Sequence, residues 1–247
     1  MMGRRILILG GTADARELAE LLDRETDCEV ITSLAGRTSE PAEQAGTLRV
    51  GGFGGADPLA GYLKENEINL LIDATHPYAA QISGNAAAAC EAAGVPFFRL
   101  ERPGWAPLES DIWIDVASNE EAAAALPHGA KAWVTVGTGG VAPFLERLDI
   151  QVIARVIERP AEPPLPPHKI MVARPPFALH DEKLLMRTEH VTHLVTKNAG
   201  GKKMAPKIAA ARELRIPVVM IARPELPEAE IARNLNHALA IMGRLLA

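Results

Sequence analysis

Residues 6–16, ILILGGTADAR, constrain this chain more than any other stretch. Four apolar residues, Ile6 to Leu9, run into Gly10–Gly11–Thr12, and an Ala/Glu/Leu-rich segment follows. That order predicts a buried strand, a tight turn and a helix. Glycines let a backbone approach a phosphate closely. A helix N-terminus adds unpaired N–H groups and about half a positive charge. In register with G-x-G-x-x-G/A the chain has Gly10, Thr12 and Ala15, so the middle glycine is replaced. On this reading Gly10, Gly11, Thr12 and Ala13 hold a pyrophosphate. A strand–turn–helix unit with no ligand would show the same local pattern.

The next apolar run, Cys28–Ser33, is the expected second strand. An NAD enzyme commonly has Asp or Glu at the end of this strand to hold the ribose 2′-hydroxyl. Here Ser33, Gly36, Arg37 and Thr38 follow, with no carboxylate. A guanidinium and hydroxyls suit a 2′-phosphate, because charge-assisted, bidentate contacts to phosphate are the strong ones. Ser33, Arg37 and Thr38 therefore favour NADP over NAD. A solvated loop arginine is the plain alternative.

Bulk properties exclude several classes. At 247 residues the chain can bury roughly 70–75% of its unfolded surface, as one large or two small domains. The formal net charge of −5 argues against bulk nucleic-acid binding. No apolar run approaches the roughly 18 residues that a membrane span requires, so no membrane partner is expected. Arg4 and Arg5 precede an apolar stretch as in a signal peptide, but four residues before the glycines serve better as a core strand. Cys28 and Cys90 are too few and too far apart for a disulfide framework or a structural zinc site. No metal is expected, and the cytoplasm is the simplest compartment.

Apolar runs and breakers alternate along the whole chain. Strands are expected at 5–9, 28–33, 47–50, 69–73, 95–100, 112–116, 132–136, 151–157, 168–173, 193–196 and 217–221. Helices are expected at 14–24, 40–45, 57–65, 79–93, 119–126, 142–147, 179–189, 204–214 and 227–246. Alternating short apolar strands and helices predict an α/β protein with parallel sheets covered on both faces. Arg102–Pro107 (RPGWAP) is the best hinge, since prolines and a glycine stop regular structure. It divides the chain into residues 1–103, a dinucleotide-binding domain, and residues 104–247, a second α/β domain with a C-terminal helix. Strand plus glycine turn recurs at 133–140 (WVTVGTGG) and 194–201 (LVTKNAGG), as two similar halves would show.

Ligands of open parallel sheets bind at the carboxyl ends of the strands. Four more segments are expected there. In Asp73–Ala79 (DATHPYA), His76 can titrate near neutrality, Tyr78 can donate a proton and Thr75 can contact phosphate or ribose. A capped helix start with a structural histidine is the alternative. Arg99 and Arg102, beside Trp105, suit a flat polyanionic ligand, or else a salt-bridge cluster. The turn at Thr138–Gly139 could cradle an anion, or simply leave a strand. Lys197, Asn198, Gly200, Gly201 and Lys202 precede a helix and form a generic carboxylate or phosphate grip without P-loop spacing. There is no G-x-S-x-G elbow and no HExxH.

GGTADAR, ATHPYA and TKNAGG, in that order and at these distances, resemble the precorrin-6A reductase family of cobalamin biosynthesis. The resemblance covers nearly the whole chain, RLERPGW included. It implies two Rossmann-like parallel-sheet subdomains with a cleft between them. It also implies NADPH-dependent reduction of one double bond in a corrin-ring precursor, precorrin-6A, giving precorrin-6B. A carboxylate-fringed tetrapyrrole then needs cationic and N–H grips, for which Arg99, Arg102, Thr138, Gly139, Lys197, Asn198, Gly200, Gly201 and Lys202 are the candidates. Adding a hydride also requires a proton, and His76 and Tyr78 are the candidate donors. A monomer or a homodimer fits equally. Two other readings stay open: an NADP-dependent reductase of a smaller substrate, and a non-catalytic dinucleotide sensor.

Overall fold

The apolar run Arg5–Leu9 forms strand β1, and alternation along it shows why both faces of its sheet are covered. Ile6 and Ile8 enter one core cluster, while Leu7 and Leu9 enter another. All four are almost fully buried, and each such side chain contributes about 1.5–3 kcal/mol relative to exposure. A strand buried on both sides reads as a continuous hydrophobic run, as this one does.

The computed structural model describes residues 3–36, 45–160 and 162–247. Arg37, Thr38 and the helix expected over 40–45 lie outside the described residues, apart from residue 45, which is in a bend. Two compact units are present: residues 1–103 with 224–247, and residues 104–223.

In the first unit, β1 is joined by β2 (Glu29–Leu34), β3 (Thr47–Val50), β4 (Ile68–Asp73), β5 (Phe97–Leu100) and β12 (Glu230–Ala232). The order is β12-β5-β4-β1-β2-β3, with all pairs parallel. Helix α1 (Ala13–Glu25) covers one face, and α2 (Ala56–Glu65) and α3 (Ala80–Ala93) cover the other.

The second unit has the matching sheet: β6 (Trp113–Val116), β7 (Lys131–Thr135), β8 (Gln151–Val156), β9 (Lys169–Val172), β10 (His193–Lys197) and β11 (Val218–Ile221). Its order is β6-β11-β10-β7-β8-β9, again all parallel. After the short helices α4 (Asn119–Ala124) and α5 (Ala142–Leu145), helices α6 (Leu179–Thr188) and α7 (Pro206–Glu213) pack together on it. The two sheets correspond position by position, β7 matching β1 and β10 matching β4. The repeated strand-and-glycine pattern therefore marks the two strands of the second sheet that match β1 and β4. The expectation of two parallel-sheet α/β subdomains is met, with six strands in each.

The C-terminal segment corrects the sequence reading in two ways. Residues 224–247 belong to the first unit, not the second. The helix expected over 227–246 is split into β12 and helix α8 (Leu235–Leu245). Asn234 causes the split. Its side chain accepts from the His237 amide at 2.9 Å, which caps the helix there, and Glu230–Ala232 stay extended against Phe98–Leu100. Ala238 and Ile241 of α8 are buried in the cluster that holds Ile6 and Ile8. Among the described residues no helix is long and apolar enough to cross a membrane.

Candidate functional site

Strand order in the first sheet reverses between β1 and β4, the point where an open α/β sheet leaves a crevice for a ligand. The turns after these two strands are bound together. Thr12 is the N-cap of α1: its Oγ1 accepts from the Ala15 amide at 3.0 Å and donates to the Ala74 carbonyl at 2.8 Å. Its hydroxyl is thus used by the fold, so any share in phosphate binding falls to the backbone. Helix geometry leaves the amides of Ala13 and Asp14 without intrahelical acceptors.

Each small residue of the turn has a separate reason to be small. A Cβ on Gly10 would meet Leu34 and Thr32 side-chain carbons at 3.1 Å, so glycine there allows β1 to lie close to β2. Gly11 has φ +110°, which side chains rarely adopt, and nothing lies within 4 Å of where its Cβ would be. Ala15 is buried against the sheet. The backbone at Gly11 is therefore open to an approaching group, as a pyrophosphate cradle needs.

Asp73 organises the turn after β4. It is buried, and its Oδ1 accepts from the Thr75 amide at 3.0 Å and the Thr75 hydroxyl at 2.6 Å. Its Oδ2 accepts from Ser83 Oγ on α3 at 2.5 Å. This clamp presents His76, which is exposed, and Tyr78, which is half-buried, with ring centroids 5.6 Å apart. His76 Nδ1 accepts from the Tyr78 amide at 3.3 Å, which leaves the ring proton on Nε2.

At the end of β2, Ser33 is buried and accepts from Arg49 Nη1 at 3.2 Å. Arg49 sits on β3 directly across from Ser33. Sequence reasoning missed it, although the pattern TLRVGG, a short strand with Arg next to its last residue and two glycines after it, was there to be read.

Several expected substrate grips also make contacts within the fold. Arg99 is buried, donates to the Pro227 carbonyl at 3.0 Å and lies 3.5 Å from Glu101. It secures the segment leading to β12. Arg102 pairs with Asp14 in the first turn of α1 at 2.6 Å.

In the second unit, Asn198 grips the backbone of Trp105 from both sides, accepting from its amide at 2.7 Å and donating to its carbonyl at 3.0 Å. Trp105 Nε1 donates to the Gly201 carbonyl at 3.1 Å. A Cβ on Gly104 would meet Asn198 Oδ1 at 3.1 Å. The PGW and TKNAGG motifs are therefore two halves of one contact. Gly200 and Gly201 both have positive φ and shape that loop. Thr138 Oγ1 donates to the Glu158 carbonyl at 2.8 Å, and Gly139 is exposed. Lys197, at the end of β10, is half-buried and Lys202 is exposed.

A buried polar cluster lies near the carboxyl ends of β7 and β8, also unforeseen. Arg155 pairs with Glu182 at 2.6 Å and stacks on Phe177, its guanidinium carbon 3.6 Å from the ring centroid. Trp133 Nε1 donates to Glu182 at 3.4 Å. Lys207 on α7 donates to Thr135 Oγ1 at 3.0 Å. Burial, and secondarily the Arg155 charge, pull the Lys207 ammonium down to about 7, against the opposing pull of Glu182. Among the described residues no group of His, Cys, Asp and Glu could hold a metal ion.

A doubly wound parallel sheet with a glycine turn and a capped helix at its reversal point defines a Rossmann-like class of α/β protein. Within that class the lineage is specific. The model of the family described as Precorrin-6x reductase CbiJ/CobK matches residues 5–243. The chain is 43% identical over 244 residues to the precorrin-6A reductase of Rhodococcus erythropolis, covering 98% of each chain. It is 41% identical over 239 residues to that of Mycobacterium tuberculosis, covering 96% of each. The solved structure of CobK precorrin-6A reductase superposes with a TM-score of 0.93 at 37% identity, covering 99% of this chain and 98% of that one. This chain belongs to the Precorrin-6x reductase CbiJ/CobK family.

Proposed function

We propose that this chain is a precorrin-6A reductase of cobalamin biosynthesis, drawing hydride from NADPH. The observation that carries the reading is the near-complete match to the family and to relatives that bear this name. The first unit fits a dinucleotide. The open backbone at Gly11, the free first-turn amides of α1 and the small side chains of Gly10 and Ala15 suit a pyrophosphate. The nicotinamide, when bound, supplies the hydride, and the protein supplies position and electrostatics.

What remains for this chain's own residues is binding and protonation. Thr12 ties the β1 turn to the β4 turn, and Asp73 holds the β4 turn in shape. The Nε2–H of His76, and the hydroxyl of Tyr78, are the candidate proton donors to the reduced ring. Thr75 spends its hydroxyl on Asp73, so its contribution to the dinucleotide is positional. In the second unit Lys197 and Lys202, with the Gly200–Gly201 turn, offer positive charge and amides suited to substrate carboxylates. The tetrapyrrole is the proposed small-molecule partner.

Anaerobic incubation with precorrin-6A and NADPH, following nicotinamide absorbance and the mass of the macrocycle, tests the proposal. Oxidation of NADPH with a gain of two hydrogens on the ring is expected. NADPH binding without oxidation would overturn the substrate, and no nucleotide binding would overturn the whole reading.

A further inference from the structure

Beside the end of β2, a cation is held in place by groups that leave part of it unused. Arg49 spends three of its five N–H groups within the fold: Nη1 donates to Ser33 Oγ and to the Gly51 carbonyl, and Nη2 to the Gly52 carbonyl at 3.3 Å. The guanidinium carbon lies 3.7 Å from the Phe53 ring centroid and 5.5 Å from that of Tyr62, and the two rings meet edge to face. Gly51 makes this possible. Its amide still pairs with Leu34 at 2.8 Å, continuing the β2–β3 ladder, and its φ of +117° then turns the chain so that its carbonyl meets Arg49.

Among the described residues no carboxylate neutralises Arg49. Its partners there are a hydroxyl, two carbonyls and an aromatic face. A cation fixed in this way costs little further entropy when it engages a ligand. Nε–H and the second Nη2 hydrogen make no contact with the described residues, and a guanidinium edge of this kind engages phosphate in bidentate fashion. In a doubly wound sheet the adenosine ribose of a dinucleotide lies at the end of β2, where Ser33 and Arg49 stand across from each other.

We infer that Arg49, held by Ser33, Gly51, Gly52 and Phe53, is the specificity residue that selects a 2′-phosphorylated dinucleotide over its unphosphorylated counterpart. This rests on the dinucleotide reading of the first unit given above. It assigns to an arginine on β3 a discrimination that the linear sequence would assign to Arg37.

The test is equilibrium binding of NADPH and NADH to the full-length protein and to Arg49→Ala, Arg49→Lys and Arg37→Ala, with thermal melts of each. Arg49→Ala is expected to lose about 10- to 100-fold in NADPH affinity, the size of one lost charge-assisted contact, with NADH affinity nearly unchanged. Arg49→Lys is expected to recover part of the loss. The unaltered protein offers a check that no folding defect can obscure: 2′,5′-ADP should displace NADPH at least tenfold better than 5′-AMP. Equal loss of both nucleotides in Arg49→Ala, or selectivity lost only in Arg37→Ala, would overturn the assignment while leaving the dinucleotide reading intact. An unaltered protein that binds neither nucleotide would overturn both.

Discussion

Thr12 Oγ1 donates to the carbonyl of Ala74 at 2.8 Å, fastening the turn after β1 to the turn after β4 across the point where the sheet reverses. The same oxygen caps α1 through the Ala15 amide. One hydroxyl thus sets both the entry of a helix and the spacing of the two turns that border the proposed dinucleotide crevice. A glycine at this position, as the common fingerprint has, would provide neither contact.

Thr12→Val keeps the shape and removes both bonds. It is expected to destabilise the protein by about 1–2 kcal/mol, the usual size of a lost N-cap, and to weaken NADPH binding as the turns separate. Thr12→Ser should retain most of both. Urea denaturation together with nucleotide titration measures the two effects.

Asp73 accepts three hydrogen bonds while buried, so the identity of the replacement decides the outcome. An asparagine can still accept from Thr75 and donate to a rotated Ser83 hydroxyl. Asp73→Asn should therefore cost no more than about 1 kcal/mol, and Asp73→Ala about 2–3 kcal/mol, because the Thr75 and Ser83 donors lose their acceptor. Equal losses in chemical denaturation would contradict the clamp.

Arg102 neutralises Asp14 in the first turn of the helix that faces the proposed pyrophosphate. Arg102→Ala leaves a bare carboxylate beside an incoming phosphate. With a partly exposed pair worth about 0.2–1 kcal/mol, NADPH affinity should fall up to roughly fivefold. Adding Asp14→Asn should restore it, and a double-mutant cycle reads the coupling directly.

Lys207 makes stability depend on pH with a definite sign. Its folded-state value of about 7 lies below the ordinary lysine range. Between the two, the unfolded chain holds a proton that the folded chain has released, so stability rises with pH across that window. Below it both states are charged, and the folded state bears the full cost of the buried cation. Lys207→Met should therefore stabilise the protein most at about pH 6, with the gain shrinking toward about pH 10. Denaturation at the two pH values checks this, and a pH-independent gain would show that packing alone is responsible.

Glu182 is the carboxylate partner of the buried Arg155. Glu182→Gln should cost about 3–5 kcal/mol by leaving the guanidinium uncompensated. Replacing both residues with Met should recover much of the loss, again by denaturation.

The alternation of strands and helices was legible because a strand covered on both faces must be apolar throughout. Ile6–Leu9 and Leu70–Ile72 say so without a partner in view. The glycine turns were legible for a similar local reason, since positive φ at Gly11 or Gly201 is a property of the residue itself. Polar side chains were harder to read. Arg99, Asn198 and Thr138 look like ligand grips in a linear chain, yet each is engaged by a backbone group that is distant in sequence, at Pro227, Trp105 and Glu158. A side chain's type states which bonds it can make, and only its neighbours decide which of them are already made.

The same division runs through the whole molecule. By itself the sequence determined the alternation of strands and helices up to the C-terminal segment, the two-sheet α/β class, the glycine turn after β1 and the family, because these follow from local periodicity, local backbone freedom and motif spacing. Tertiary structure alone decided that residues 230–232 leave the apparent C-terminal helix to become the sixth strand of the first sheet. It also decided that Arg49 faces Ser33 and that Lys207 is buried beside Arg155. Strand pairing and burial join residues far apart along the chain, and no local pattern encodes which strand a free edge will accept.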